Sequence, residues 1–380
     1  MTNKPKRLLS LDLLRIVSMC MIITLHFISY SNISDDVFSF SKIGLLNTIL
    51  HSICNVAVNC YILISGYFCI KNKFKITKIY KLVIEVFVYS MIIYIIMILT
   101  NRINFRVKEF FFNFFPVLTR QYWFITSYLG VYIVSPFLRM FVNRINRFEH
   151  LSVIITGFLL FVLYYNLFFF CDNLNFGGAT GIVWFIYLYL CAMYIFKYYE
   201  GKGWKREVKN YIIIVVLALL SRFPFYILYL ITNKNIFLQG ASIFDSVYNS
   251  IFPFVASISL FKVFLNISIE EKSTKIFNIL SVSSWYIYIL HENKYIREIL
   301  WGKIDYKNFV NNSVIRYAIC WIGIIISIYI LGLCISFVIN KILLNTLLKK
   351  KTLDKIEKFQ NSIYCCFEKT VERRIINENK

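Results

Sequence analysis

The chain has 380 residues, of which 58% are hydrophobic, 18% are aromatic and only 16% are charged. Soluble domains typically have about 25% charged residues, and a soluble fold of this length cannot bury so much apolar surface. The composition therefore excludes an ordinary soluble protein and predicts an all-α integral membrane protein. The net charge of +22 does not indicate nucleic-acid binding, because the sequence contains no soluble basic domain to carry it.

Apolar runs of about 17–25 residues, long enough to cross a bilayer, recur along the whole chain and predict about ten transmembrane helices. The first run, from Leu8 to Tyr30, is too long for a cleaved signal sequence, so it is predicted to remain as the first span. The short apolar run within 101–122 predicts a re-entrant or interfacial segment. The predicted spans are 8–30, 44–69, 80–100, 122–138, 151–171, 180–197, 210–231, 246–266, 276–292 and 317–341.

The distribution of Lys and Arg predicts the orientation of these spans. Of the 42 Lys and Arg residues, 29 lie on the side that carries both termini and 11 lie on the opposite side. Because cytoplasmic loops are enriched in these residues, both termini are predicted to be cytoplasmic, which is an N-in/C-in arrangement. We divide the chain into a polytopic membrane domain, residues 1–345, and a basic cytoplasmic tail, residues 346–380.

The tail has apolar residues at roughly helical spacing, which predicts an amphipathic helix that lies on the inner membrane surface. These residues are Leu353, Ile356, Phe359, Ile363 and Phe367.

The first span contains ionisable residues, which are costly inside a membrane and usually functional. Arg15 and His26 are eleven residues apart, so they share one helix face and are separated by about 16 Å along the axis. A cation and an imidazole on one face indicate a path through the membrane. Alternatively, Asp12 and Arg15 form an interfacial ion pair, Arg15 extends to the headgroups, and His26 only caps the outer end.

The second span contains a polar stripe along one face, because His51, Asn55 and Asn59 are spaced four residues apart. The stripe is predicted to face protein or a water-filled cavity, and its alternative role is to hydrogen-bond neighbouring helices. Glu85 and Arg222 are single charges in other spans whose partners the sequence does not identify.

The loop after the second span contains a cluster of lysines that could bind the phosphates of a soluble cofactor. The same lysines satisfy the positive-inside rule without any ligand. The members of the cluster are Lys71, Lys73, Lys75, Lys78 and Lys81.

The opening segment RLLSLDLLRIVSMCMIITLHF, residues 7–27, resembles the first helix of the acyltransferase-3 family of bacterial membrane acyltransferases. That family has an Arg, ten intervening residues and then a His, and Arg15 and His26 match this spacing. Four later segments resemble family segments in the family's order: VNCYILISGYF (58–68), QYWFITSYLGVYIVSPFL (121–138), GIVWFIYLYLCAMYI (181–195) and SVSSWYIYILH (281–291).

Two positions depart from the pattern of many relatives. Asn59-Cys60-Tyr61 stands where those relatives have Pro-Leu-Phe, and Glu292 stands where they have Pro after the late His. The departures concern the subfamily and its acceptor more than the chemistry.

The resemblance implies a ten-helix membrane domain in the bacterial plasma membrane. It implies transfer of an acyl group, usually acetyl, from cytoplasmic acyl-CoA to a hydroxyl of an envelope carbohydrate. Acetyl-CoA is thus the expected donor, the carbohydrate and the lipid bilayer are the other expected partners, and no metal is expected. By the same resemblance His26 is the catalytic residue and Arg15 contacts the donor.

These implications fit the residues. The lysine cluster and Arg15 can hold CoA phosphates, and a neutral imidazole, with an ordinary pKa near 6.5, can take a proton from an acceptor hydroxyl. Tyr122 and Trp123 can stack on a sugar ring or belong to an interfacial aromatic belt. The candidate substrate-binding residues are Trp123, His51, Asn55 and His291.

Two other classes of protein share this hydropathy. One is a polymerase or flippase of envelope polysaccharide, and the other is a transporter or channel in which the intramembrane charges form a solute path. Neither needs a site for CoA phosphates, so CoA release that depends on the acceptor discriminates the enzyme from both.

Overall fold

The computed structural model describes residues 8–31, 33, 41–168, 178–269 and 274–362, and over these residues it contains helices and no strands. The all-α prediction is confirmed. The helices are α1 (Leu9–Tyr30), α2 (Lys42–Cys54), α3 (Ala57–Cys69), α4 (Ile76–Leu99), α5 (Val107–Phe114), α6 (Trp123–Arg144), α7 (Arg147–Gly157), α8 (Tyr164–Leu167), α9 (Ile182–Tyr198), α10 (Trp204–Leu220), α11 (Phe223–Thr232), α12 (Asn235–Ala241), α13 (Ile251–Asn266), α14 (Thr274–Glu292), α15 (Lys294–Arg297), α16 (Tyr306–Val310), α17 (Val314–Ile339), α18 (Asn345–Leu347) and α19 (residues 350–362).

Within the described ranges, seven helical stretches are long and apolar enough to cross a membrane. Two further apolar helices, α9 and α13, are shorter than these seven. Each predicted span overlaps at least one of the helices, but the count of about ten and the N-in/C-in orientation stay predictions. The seven stretches are Leu9–Tyr30, Lys42–Cys69, Ile76–Leu99, Trp123–Arg144, Arg147–Leu167, Trp204–Thr232 and Val314–Ile342.

Helix α1 lies inside the bundle, where it packs against α2, α3, α13, α14 and α17. Its apolar residues are distributed around the helix, and Leu11, Leu14 and Ile23 are fully buried. A helix that is apolar all round is buried rather than peripheral. Because α1 is surrounded, its polar residues face protein and not only lipid.

The second predicted span is broken in its middle, where α2 ends at Cys54 and α3 begins at Ala57. Irregular backbone at membrane depth is tolerated where it is buried in protein, and Asn55 at the break is only 2% exposed. Further along, Gly66 allows α3 to approach α9 closely. A Cβ atom at Gly66 would lie 2.9 Å from the Cα atom of Tyr189.

The segment between α4 and α6 contains the short helix α5, and its re-entrant or interfacial placement stays a prediction. Its residues Phe111 and Phe112 are exposed, which suits a helix at a membrane interface. Lys294 forms an ion pair with Glu109 and ties α5 to α15. The hydrogen bond from Lys294 lowers the pKa of Glu109 below its ordinary value.

The tail forms helix α19, which contacts the loop between α3 and α4. The amide nitrogen of Gln360 donates to the carbonyl of Phe74 at 3.0 Å, and its oxygen accepts from the backbone N–H of Ile76 at 2.8 Å. Lys75 pairs with Glu357 at 3.1 Å. The predicted tail helix is therefore present up to residue 362, whereas Ile363 and Phe367 lie outside the described residues.

Candidate active site

The imidazole of His26, near the end of α1, faces the end of α14. Nδ1 of His26 lies 3.1 Å from Nε2 of His291 and 3.2 Å from Oε2 of Glu292. Both partners are buried, and Oε1 of Glu292 accepts from Nη1 of Arg297 at 2.9 Å. The structure therefore joins two predicted site residues and adds the carboxylate next to them.

The hydrogen-bond partners decide where the hydrogens lie in this cluster. Nδ1 of His291 is 2.6 Å from the carbonyl oxygen of Ile287, which only accepts, so Nδ1 carries the hydrogen. In neutral His291, Nε2 is then an acceptor. Two acceptors, His291 Nε2 and Glu292 Oε2, thus face Nδ1 of His26, and this nitrogen is the donor. The other nitrogen of His26, Nε2, keeps its lone pair and can act as a base.

The same three residues offer ligand atoms that all lie within 4.8 Å of one another, so they are also the candidate metal ligands among the described residues. Two His and one Glu are a ligand set of catalytic zinc sites. Oε1 of Glu292 is already paired with Arg297, however, which weakens the attraction of this carboxylate for a metal ion.

His26 lines a small cavity of about 30 Å³. This volume has room for about one water molecule. The walls are otherwise apolar or aromatic, and the ring of Trp123 stacks on that of Tyr248 with centroids 6.1 Å apart. The complete lining is Met19, Ile22, Leu25, His26, Val58, Tyr61, Trp123, Phe124, Tyr248, Trp285 and Tyr288.

A second, larger cavity of about 430 Å³ opens at the Arg15 end of α1. This volume lies in the range of small-molecule and cofactor sites. Its charged lining residues are Arg15, Lys73, Lys78, Lys81 and Glu85.

The two cavities share one wall, which is formed by Tyr61, Phe124 and Trp285. We call these three residues the aromatic wall. The basic cavity and His26 therefore lie on opposite sides of the aromatic wall.

A family model described as an acyltransferase domain, that of the acyltransferase-3 family, matches residues 8–341. The chain belongs to the acyltransferase-3 family. The predicted family is thereby confirmed. The family and the apolar helices together indicate that the chain is a multi-pass membrane acyltransferase. No curated protein and no solved structure matches it.

In this acyltransferase-3 protein, Arg15 fits both interpretations of the first span, since it forms an ion pair and also lines a cavity. Arg15 donates to Asp12 at 2.6 Å, which is the ion pair of the alternative interpretation. Asp12 also accepts from the hydroxyl of Ser281 at 3.0 Å. Arg15 lines the basic cavity as well, so its remaining N–H groups are available to a ligand.

The lysine cluster divides into two groups. Lys73, Lys78 and Lys81 line the basic cavity, but Lys71 and Lys75 do not. The ammonium group of Lys71 lies over the ring of Phe196, 5.1 Å from its centroid, and Lys75 is bound to the tail helix. The loop between α3 and α4 thus presents only part of the cluster to the cavity.

The polar stripe of the second span contacts the segment 242–250. Nδ2 of Asn55 donates to the carbonyl of Asp245, and Nδ2 of Asn59 donates to that of Tyr248, both at 2.7 Å. Nδ1 of His51 lies 3.9 Å from Oδ2 of Asp245. These residues line neither cavity, and they hold the segment that brings Tyr248 against Trp123.

Of the candidate substrate-binding residues, Trp123 lines the small cavity, whereas His291 is buried behind His26. The sequence did not point to Asp245, Tyr248 or Arg297. It did single out Glu292 as a departure from the family pattern, which was the available signal for its role.

Proposed function

We propose that this protein transfers an acyl group, acetyl in the simplest case, from acyl-CoA to a hydroxyl of a cell-envelope carbohydrate at the bacterial plasma membrane. One observation carries the proposal: the three residues of the aromatic wall line both the basic cavity and the cavity of His26, so the two cavities are adjacent. CoA has anionic phosphates at one end and a thin acylated arm at the other. A basic chamber followed by a narrow aromatic passage suits both parts.

In the basic cavity, Arg15, Lys73 and Lys78 would bind the phosphates of the donor. Arg suits this task because its planar guanidinium can bind phosphate with two parallel hydrogen bonds. The ion pair with Asp12 fixes one edge of the Arg15 guanidinium and orients the rest. The acylated arm would then pass the aromatic wall and bring the thioester to His26.

At His26, the acceptor hydroxyl attacks the thioester carbonyl carbon while Nε2 of His26 takes the hydroxyl proton. A C–O bond forms, the C–S bond breaks, and the proton passes from His26 to the leaving sulfur. The products are the O-acyl carbohydrate and free CoA, and His26 is regenerated. The small volume and mostly apolar lining of this cavity leave little room for water, which limits hydrolysis of the thioester.

The acceptor would approach the small cavity from the side of Trp123 and Tyr248. Stacked aromatic rings present flat apolar faces, which suit the C–H face of a sugar ring. The segment 242–250 that carries Tyr248 is held by Asn55 and Asn59, so these hydrogen bonds position this face.

The test uses the purified full chain in lipid nanodiscs with acetyl-CoA and envelope polysaccharide extracted from a strain that lacks the gene. Release of CoA thiol that requires both the polysaccharide and His26 supports the proposal. Mass analysis should then show one added acetyl group per modified repeat. Absence of CoA release, together with transport or chain extension of the polysaccharide, would instead support a flippase, polymerase or transporter.

A further inference from the structure

Glu292 has one oxygen without a hydrogen-bond donor in the described part of the chain. Its Oε1 is bound by Arg297, but its Oε2 is buried and has no hydrogen bond of good geometry. An unsatisfied buried polar atom costs about 1–3 kcal/mol, and more when it is charged. The ion-pair partner of this oxygen is Nδ1 of His26 at 3.2 Å.

The neighbouring His291 cannot take over this role. Its Nδ1 is committed to the carbonyl of Ile287, so in the neutral ring Nε2 is an uncharged acceptor. An uncharged acceptor can receive the hydrogen of His26 Nδ1, but it holds this hydrogen less strongly, and stabilises a positive charge on His26 less, than a carboxylate does. Among the residues that the structure describes, only Glu292 combines an acceptor with a negative charge at this nitrogen.

We propose that Glu292 is a positioning residue for acyl transfer. It holds the hydrogen on Nδ1 of His26, keeps Nε2 free to act as the base, and stabilises the imidazolium that forms when His26 takes the acceptor proton. A buried carboxylate performs this task for the histidine of serine-protease triads. The proposal rests on the proposed function, since it needs His26 to be the base.

Arg297 sets the strength of this interaction. Its guanidinium lies over the ring of Tyr30, 5.0 Å from the centroid, and pairs with Oε1 of Glu292. This arrangement orients the carboxylate so that Oε2 points to His26. It also shares the negative charge, which allows a carboxylate to remain ionised in an apolar environment.

The test compares Glu292→Gln, Glu292→Asp and, as the matched control, Glu298→Gln, which removes an exposed carboxylate six residues further along. CoA release is measured with the same nanodiscs and polysaccharide. Gln keeps the shape but removes the charge, so kcat should fall on the order of 10²–10⁴-fold while the KM for acetyl-CoA changes less than about twofold. Glu292→Asp should keep more activity than Glu292→Gln, and Glu298→Gln should match the wild type.

A spectroscopic measurement separates positioning from a purely structural role. Nitrogen-15 NMR of histidine-labelled protein reports which ring nitrogen of His26 carries the hydrogen. The wild type should show the hydrogen on Nδ1, and Glu292→Gln should show a mixture of tautomers in a protein that melts normally and still binds acetyl-CoA.

Three results would overturn the proposal. The first is a Glu292→Gln variant with wild-type kcat while His26→Ala is inactive, which leaves the proposed function intact. The second is loss of wild-type activity in a chelator, its recovery with zinc and one bound metal per chain, which would make the cluster a metal site. The third is an active His26→Ala variant, which would remove the proposed function itself.

Discussion

Arg15 and His26 belong to the same helix, yet they line two different cavities that meet at the aromatic wall. The two residues are about 16 Å apart along the axis of α1. In the proposed reaction, the Arg15 end of α1 binds the donor phosphates, and the His26 end transfers the proton. Variants at the two ends should therefore affect different kinetic constants.

At the basic end, we predict that Lys73→Gln and Lys78→Gln each raise the KM for acetyl-CoA roughly fivefold, because a partly exposed charge pair is worth about 1 kcal/mol. The kcat should stay the same, and the effect should grow at low salt, where screening is weaker. The measurement is CoA release at varied donor concentration.

The matched control is Lys71→Gln, which removes a lysine of the same loop that does not line the cavity. Its donor KM should match that of the wild type. Equal effects of all three substitutions would mean that general surface charge, and not the cavity, attracts the donor.

At the other end, we predict that His26→Gln is almost as inactive as His26→Ala, with a loss on the order of 10²–10⁴-fold in kcat. Gln can hydrogen-bond the acceptor but cannot take its proton. Donor binding, measured by calorimetry with acetyl-CoA, should survive in both variants.

The control for His26 is His150→Gln, since His150 is buried away from both cavities and bonds the carbonyl of Leu190. It should keep near wild-type kcat. Substantial activity of His26→Gln would instead assign His26 to acceptor orientation, and the base would then have to be sought elsewhere.

The positions of Arg15 and His26 could be predicted because helical periodicity fixes which residues of one helix share a face. The partner of His26 could not be predicted in this way. Glu292 lies on α14, and its contact with α1 depends on how two distant helices pack. The sequence offered only the observation that an acidic residue replaces the usual Pro after His291.

The lysine cluster illustrates a second limit. Lys71 and Lys73 belong to the same short loop, and nothing in their spacing distinguishes them. The conformation of that loop decides that Lys73 lines the cavity and that Lys71 lies over Phe196.

The polar stripe was better defined by the sequence, because four-residue spacing predicts that its residues share one face. That face does contact protein, through Asn55 and Asn59.

The tail helix should influence the donor site through the same loop. We predict that Gln360→Ala raises the KM for acetyl-CoA a few-fold, because Gln360 bonds the backbone on both sides of Lys75 and holds the loop that carries Lys73. The neighbouring Asn361→Ala is the control, since Asn361 is exposed. An unchanged KM in Gln360→Ala would limit α19 to an anchoring role.

The orientation of the chain can be tested independently of activity. The 29-to-11 distribution of Lys and Arg predicts that reporter fusions after residues 75 and 350 report the cytoplasm. A fusion after residue 305 should report the opposite side. A signal from the opposite side at residue 350 would place the tail outside the cytoplasm and rule out an even number of spans.

The buried pair of Asp245 and Arg222 should support both stability and activity. Oδ2 of Asp245 accepts from Nη2 of Arg222 at 2.8 Å, and both side chains are at least 96% buried. Removal of one partner from a buried ion pair typically costs about 3–5 kcal/mol, because the other charge is left uncompensated. We therefore predict that Asp245→Asn lowers the melting temperature in detergent. It should also lower acyl transfer, because the segment 242–250 would no longer hold Tyr248 in its stacking contact with Trp123.

The cost should depend on the unpaired charge and not on the loss of Asp245 as such. The double variant Arg222→Met with Asp245→Asn removes both charges, so it should recover part of the lost melting temperature. Asp354→Asn, an exposed carboxylate of α19, is the control and should melt like the wild type. If the single and double variants melt at the same reduced temperature, the hydrogen bond that Asp245 accepts from Ser52 carries the stabilisation, and Ser52→Ala should reproduce the loss.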